Sequence, residues 1–320
     1  MKPNQLSKLA RTSRSILIAA LSLLGTCGLK AANFFDNGFV ITDGNGTHTI
    51  DLGNASGGLS TTVSTHKNWA IFALSGGVTI TDPDNSLQNV GNNYDVLGNV
   101  GMAGSGLLSL TNSWIKGSAY NTAGQISGPF ITSTGNAGPT VNSAYLASAA
   151  TSASNSSTAA ANLVTNAGVG ANQLVYGGAL SGTPATIALS TAASITGTAN
   201  QTYVLNLTDL ILSGAGAVLT LNGASTTNYV INVNRYMALS ASAQIKLGAG
   251  GIGQNNILYN VTNASTYDVT LSGASVVNGI ILAPTRNAKL TGGSVVYGEV
   301  IAKGVSLSGR SKVINPYISP

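Results

Sequence analysis

One phrase is written three times near the C-terminus, as Leu271-Ser272-Gly273-Ala274-Ser275, Leu290-Thr291-Gly292-Gly293-Ser294 and Leu307-Ser308-Gly309-Arg310-Ser311, at steps of 19 and then 17 residues. The first two copies continue in step, as Val276-Val277-Asn278-Gly279-Ile280-Ile281-Leu282-Ala283 and Val295-Val296-Tyr297-Gly298-Glu299-Val300-Ile301-Ala302. A unit of this length cannot bury its apolar side alone, so repetition at a near-fixed period implies rungs stacked on one another. The fold expected is all-β: an irregular parallel β-solenoid, or β-helix. Leucine and valine point inward, Ser, Thr and Asn ladder or face water, and glycine serves the corners.

Weaker echoes lie upstream. Leu110-Thr111-Asn112-Ser113-Trp114-Ile115-Lys116-Gly117 keeps the leucine, the small polar residues, the apolar pair and the glycine, with one residue fewer between leucine and glycine. Leu212-Ser213-Gly214 and Leu221-Asn222-Gly223 keep only the first half. Strands are expected over Trp69–Leu74 and Val78–Thr81, then over Tyr203–Leu212, Val218–Leu221, Tyr229–Val233 and Ile257–Val261, with Asp82-Pro83-Asp84-Asn85 as a turn.

Ala144–Val164 breaks the pattern. It holds no Gly or Pro, and Leu146, Ala149, Ala150, Ala153, Ala160, Leu163 and Val164 form one stripe at helical spacing. Asn142 or Ser143 can cap its start and Gly168 its end. One long helix near 143–166 is expected, laid along the side of the coil across about seven rungs; the alternative is a Ser/Ala linker.

The formal charge of +5 is misleading. Lys2, Lys8, Arg11, Arg14 and Lys30 stand in the first 32 residues, which contain no acid, and the other nine Lys/Arg face nine Asp/Glu. Ile16–Leu24 is an apolar run too short to span a bilayer, so residues 1–32 read as a signal peptide and 33–320 as a single domain. Leu24-Gly25-Thr26-Cys27 faintly resembles a lipoprotein signal, but its residues before the cysteine fit poorly. Cys27 is the only cysteine, so removal of the leader leaves no thiol chemistry. The expected location is secreted or cell-surface, with no transmembrane segment in the mature chain, and the neutral mature chain argues against a nucleic-acid partner. Within it, residues 33–95 carry six acids and one Lys, whereas 96–320 carry eight Lys/Arg and three acids. Two readings stay open: solvated charges on end rungs, or opposite ends that attract each other or a charged surface.

A coil interrupted once by an Ala-rich helix, with Val269-Thr270-Leu271-Ser272-Gly273, Gly279-Ile280-Ile281-Leu282-Ala283-Pro284 and Gly298-Glu299-Val300-Ile301-Ala302, resembles the bacterial choice-of-anchor A proteins and the wider ice-binding-like group. The resemblance covers roughly Trp69–Pro316. It matches Ala70–Gly77 to an opening strand and Asn278–Pro284 to a final rung, and implies a secreted or surface-displayed adhesive module. A sorting segment usually follows in that family; this chain stops at Pro320 without one.

Catalytic groups are scarce. After residue 95 the acids are Asp209, Asp268 and Glu299. Stacking could bring Asp268 and Glu299 near Arg286 and Lys289, where surface ion pairing is the ordinary explanation. His48 and His66 lie in a polar segment with Asp43 and Asp51 near the first, and solvated loop histidines are the default over a metal pair. Asp43-Gly44-Asn45-Gly46 and the turn at Asp82 resemble parts of Ca²⁺ loops but lack the later bidentate acid. Trp69, Trp114, Tyr259, Tyr267 and Tyr297 could stack on sugars if exposed. No catalytic, metal-binding or cofactor-binding residue is assigned, and no cofactor is expected.

The scarcity of catalytic groups, together with what the resemblance implies, points first to a non-enzymatic adhesive or structural module binding an extracellular surface, matrix or polysaccharide. Ice binding is the second reading. It needs a flat β face with Thr or similar small residues in register over several rungs. Thr47-x-Thr49 and Thr79-x-Thr81 exist, but Thr-x-Thr does not recur in the C-terminal copies, whose equivalents are Thr270/Ser272, Lys289/Thr291 and Ser306/Ser308, with Lys289 interrupting the row. A polysaccharide-active β-helix enzyme comes third.

Overall fold

The computed structural model describes residues 39–50, 52, 69–82, 94–122, 126–127, 140–141, 143–164, 185–263 and 266–315. The chain divides into two compact units, Met1–Ala32 and Asn33–Pro320, and every described residue lies in the second. Among the described residues that unit is a parallel β-solenoid flanked by one α-helix, with a 20-stranded sheet wound around its core.

The repeated phrases stack as their spacing predicts. Leu271 lies opposite Leu290 and Leu290 opposite Leu307, all three buried in one column. After each leucine the chain turns through two residues of positive φ, Gly273 and Ala274, Gly292 and Gly293, Gly309 and Arg310. In the second and third copies the serine that ends the phrase folds back on the turn, Ser294 Oγ donating to the Thr291 carbonyl at 2.6 Å and Ser311 Oγ to the Ser308 carbonyl at 2.8 Å, whereas the buried Ser275 Oγ of the first copy makes no such bond. At the next corner Gly298 is obligatory, because a Cβ there would stand 2.1 Å from the Gly279 carbonyl oxygen.

Space and sequence part company after Ser308. The strand Val295–Ser308 is flanked on its far side by Trp69–Ala73 and Val78–Thr81, and Lys312–Ile314 lies on Val96–Leu97. From there the stack runs through Asn99–Met102, Leu108–Thr111 and Ala119–Asn121 to Thr140–Val141. In the other direction it runs from Val276–Leu290 through Ile257–Val261, Asn228–Ser240 and Thr202–Ser213 to Ala185–Leu189. The expected opening strand and final rung are therefore interior; the opening strand meets residues 300–302, one rung beyond the expected final rung, at a seam. The helix makes this possible by carrying the chain along the stack, so that the second half returns toward the first.

That helix is Ser143–Ala161, about 28 Å or six rung spacings long. Leu146, Ala153, Ala160 and Leu163 are buried against Val204, Val230, Leu258, Ile280, Leu282 and Ile301, while Ala149 and Ala150 are partly covered. Val164, expected in the stripe, is exposed. The expected caps Asn142 and Gly168 lie outside the described residues. Near its start Tyr145 packs 6.2 Å from the buried Trp69, which also meets Phe72 and Tyr120.

The charge asymmetry resolves at the seam. Asp82 and Asp95, both buried, belong to the first N-terminal rung; Lys312 of the last C-terminal rung acts on both, joined at Asp82 by Arg310. These are not end rungs. Burial holds both carboxyls above the usual range, opposed at Asp82 by the two cations and at Asp95 first by the Trp114 amide, which donates to Oδ2 at 2.7 Å, and then by Lys312.

Candidate functional site

Each rung turns one strand segment toward the helix and another toward solvent. On the open segment the inward column is Leu212, Leu239, Leu271, Leu290, Leu307, Ile80 and Leu110. The next residue of each rung points out, so Ser213, Ser240, Ser272, Thr291, Ser308, Thr81 and Thr111 form an outward row that crosses the seam. Two residues earlier in each rung a second row reads Ile211, Ala238, Thr270, Lys289, Ser306, Thr79 and Ser109. Rows of this kind repeat about every 4.8 Å between rungs and about 6.7 Å along a strand.

Thr79 and Thr81 thus stand directly on Ser306 and Ser308, and Ser109 and Thr111 stand on them. Lys289 does interrupt the second row, but its Nζ is held 2.6 Å from Asp268 Oδ2. The Thr47-x-Thr49 pair lies elsewhere, on the antiparallel hairpin Phe39–Asp43 and Gly46–Ile50.

The helix-facing segment carries a polar row of its own, which sequence reasoning did not single out. Asn206, Asn232 and Asn260 are in register. Asn232 Nδ2 donates to Asn206 Oδ1 at 2.7 Å, and Asn260 Nδ2 donates to Asn232 Oδ1 at 2.8 Å. The same three amides donate to the carbonyls of Leu163 at 3.3 Å, Ala160 at 2.8 Å and Ser157 at 2.9 Å. Three helical residues rise about 4.5 Å, close to one rung spacing of about 4.8 Å, so one asparagine per rung meets every third helix carbonyl. The signal was present as Val204-Leu205-Asn206-Leu207, Val230-Ile231-Asn232-Val233 and Leu258-Tyr259-Asn260-Val261.

The acids do not converge. Asp268 pairs with Lys289 as a surface ion pair, and Asp209 binds Arg235 through two contacts of 2.9 and 2.6 Å. Arg235 holds the Asp209 carboxyl below its ordinary range. Glu299 is on the helix-facing side, opposite Ile280, buried and accepting from Asn315 Nδ2 at 3.1 Å. Burial drives its carboxyl well above the usual range. It does not join Asp268, because the rung carries the two positions to different faces. Arg286 makes no surface pair either; its buried guanidinium donates to the carbonyls of Asn234, Arg235, Asn263 and Tyr267.

His48 is not a solvated loop residue. It sits on a hairpin strand with its side chain 10% exposed and its Nε2 3.2 Å from Asp43 Oδ1. Asp43-Gly44-Asn45-Gly46 is the hairpin turn, closed by the Asn45 amide on Asp43 Oδ1 at 2.8 Å. Asp43 Oδ2 also accepts from the Val164 amide at 2.7 Å, which ties the hairpin to the end of the helix and holds the carboxyl below its usual range. His66 and Asp51 lie outside the described residues. Among the described residues no three His, Cys, Asp or Glu side chains cluster as metal ligands, and no helix is long and apolar enough to cross a membrane. Of the aromatics weighed for sugar stacking, Trp69 and Tyr259 are buried, Trp114 is half-buried, and Tyr267 and Tyr297 are 43% and 39% exposed.

A search of curated proteins finds no match. Among solved structures, the ice-binding protein LeIBP from an Arctic yeast is 21% identical, with 79% of this chain and 93% of that one covered at a TM-score of 0.48. The ice-binding protein of the Antarctic ascomycete Antarctomyces psychrotrophicus is 17% identical, with 78% and 96% covered at 0.47. A domain of an ice-binding protein from Shewanella frigidimarina is 15% identical, with 79% and 95% covered at 0.43. Residues 32–313 match the model of the Ice-binding-like adhesive domain, and the chain belongs to that family.

Proposed function

We propose that the protein is a non-catalytic, exported adhesive module whose working surface is the open face of the solenoid. The observation that carries this reading is the uninterrupted outward row from Ser213 to Thr111, built from two distant parts of the sequence and backed by a buried aliphatic column. Such a face offers many neutral hydrogen bonds, each worth about 1 kcal/mol, and few charge-assisted ones. It suits a broad repetitive surface better than a single small ligand. Family membership supports the same reading. In this proposal residues 1–32 are the export signal, and the finer kinship is with the choice-of-anchor A proteins.

Ice is the second reading for the same face, favoured by a specific feature. On three successive rungs, Ser306/Ser308, Thr79/Thr81 and Ser109/Thr111, both outward rows are hydroxylated without interruption. The experiment is a binding panel of ice-growth microscopy, collagen and fibronectin films, and insoluble polysaccharides with a reducing-end assay. Binding to one of these surfaces without product release is expected. Sustained product release, abolished by substituting Asp268 or Glu299, would establish an enzyme instead.

A further inference from the structure

At the corner where the open face begins, two tyrosines stand together on neighbouring rungs. The rings of Tyr236 and Tyr267 are 4.1 Å apart between centroids and inclined by 35°. Arg235 lies over the Tyr236 ring at 5.4 Å, while Tyr267 is 43% exposed. Two ion pairs flank the rings, Asp209 with Arg235 and Asp268 with Lys289, and both cationic side chains are 54% exposed.

This corner is held rigidly. Arg286, 2% exposed, sends its guanidinium into the carbonyls of Asn234 and Arg235 on one side and Asn263 and Tyr267 on the other. A buried guanidinium is costly unless its donors are satisfied. Here it clamps the two backbone segments that carry the tyrosines, so the aromatic plate is ordered before any ligand arrives.

We propose that this corner is a carbohydrate-binding site, which takes one pyranose ring of a glycan on the exposed Tyr267 plate. A pyranose presents C–H groups on one side and, around its rim, hydroxyls that both donate and accept. Its complement is an apolar plate bordered by both kinds of partner. The Asp268 carboxylate, 23% exposed, and the cations of Arg235 and Lys289 supply them within one corner, while the Asp209 carboxylate is buried and holds Arg235 in place. A polyanion is a poorer fit, because each exposed cation is already matched by a carboxylate. A folded protein partner needs roughly 800 Å² on each side, far more than two tyrosine rings offer. The site goes beyond the proposed function, since it uses none of the Ser/Thr row.

The test is saturation-transfer NMR on the full chain with soluble xylo-, cello-, chito- and manno-oligosaccharides. Transfer to the ring C–H protons of at least one of them is expected, with about tenfold weaker binding in Tyr267→Ala. Tyr267→Trp keeps the plate and should retain binding. Tyr297→Ala, exposed on a different strand segment, and Thr81→Tyr, in the Ser/Thr row, should bind as the parent does. Thr81→Tyr separates the two proposals, because it blocks the row and leaves the corner intact. Absence of transfer from every oligosaccharide, or equal transfer in Tyr267→Ala and the parent, would overturn the site.

Discussion

Two polar rows run up this solenoid, and they meet opposite ends. The asparagines at 206, 232 and 260 lie under the helix, whereas the serines and threonines from Ser213 to Thr111 face solvent. A carboxamide has two N–H donors and an acceptor oxygen, so it can bond to the next rung and also to a helix carbonyl. A hydroxyl has one proton to give. Ser240 spends it on Ser213 Oγ at 3.2 Å, which leaves lone pairs facing outward. The difference teaches that a ladder of small polar residues does not by itself mark a binding surface; side-chain chemistry decides which ladder can be roofed by a helix.

The comparison breaks most completely if the core common to both rows is destroyed. Leu290→Asp places a charge in the fully buried leucine column and should cost several kcal/mol, abolishing cooperative melting. A melting temperature equal to the parent's would refute the register. Next in size, Asn232→Leu removes the middle of the covered ladder and strands the Ala160 carbonyl, Asn206 Oδ1 and one N–H of Asn260. It should lower stability by about 3 kcal/mol in thermal or urea unfolding, while surface binding below the transition survives.

Glu299 sharpens the contrast through pH. It stands in the helix-facing column after Val204, Val230, Leu258 and Ile280, and burial favours its protonated form in the folded state. The unfolded chain releases that proton above about pH 4.3, so stability falls as pH rises from there toward the raised folded-state value. Glu299→Gln keeps an acceptor for Asn315 and carries no titrating proton. It should melt higher than the parent at alkaline pH and equally near pH 4; a difference independent of pH would contradict this. Smallest of all, Thr79→Ser on the open face should change stability by less than about 0.5 kcal/mol.

Within each rung the fold was largely legible. The leucine, glycine and serine positions of the repeated phrase fall where their periodicity demands, and the Ala-rich stretch is the helix. The order of rungs was not legible, since pairing Ser308 with Thr81 is a long-range choice that no local pattern encodes. Nor was the continuous Ser/Thr row, because Thr79 and Thr81 lie more than 200 residues from Ser306 and Ser308 and become their neighbours only across the seam. The asparagine row was written at steps of 26 and 28 residues, but its meaning depends on the rise of a helix that the row itself does not contain. Arg286 looked like a surface cation because its partners are backbone carbonyls, which leave no trace in side-chain composition.

The central claim is that the open Ser/Thr row is the binding surface and is continuous across the seam. Thr81→Tyr tests it most directly, by placing a bulky ring in the row beside Ser308 while leaving the helix-facing side untouched. Retention on the surface identified by the panel should be lost in Thr81→Tyr, with melting unchanged, and kept in Ser194→Tyr, which lies on the neighbouring strand segment Ala193–Thr196. Retention of Thr81→Tyr equal to the parent's would contradict the account.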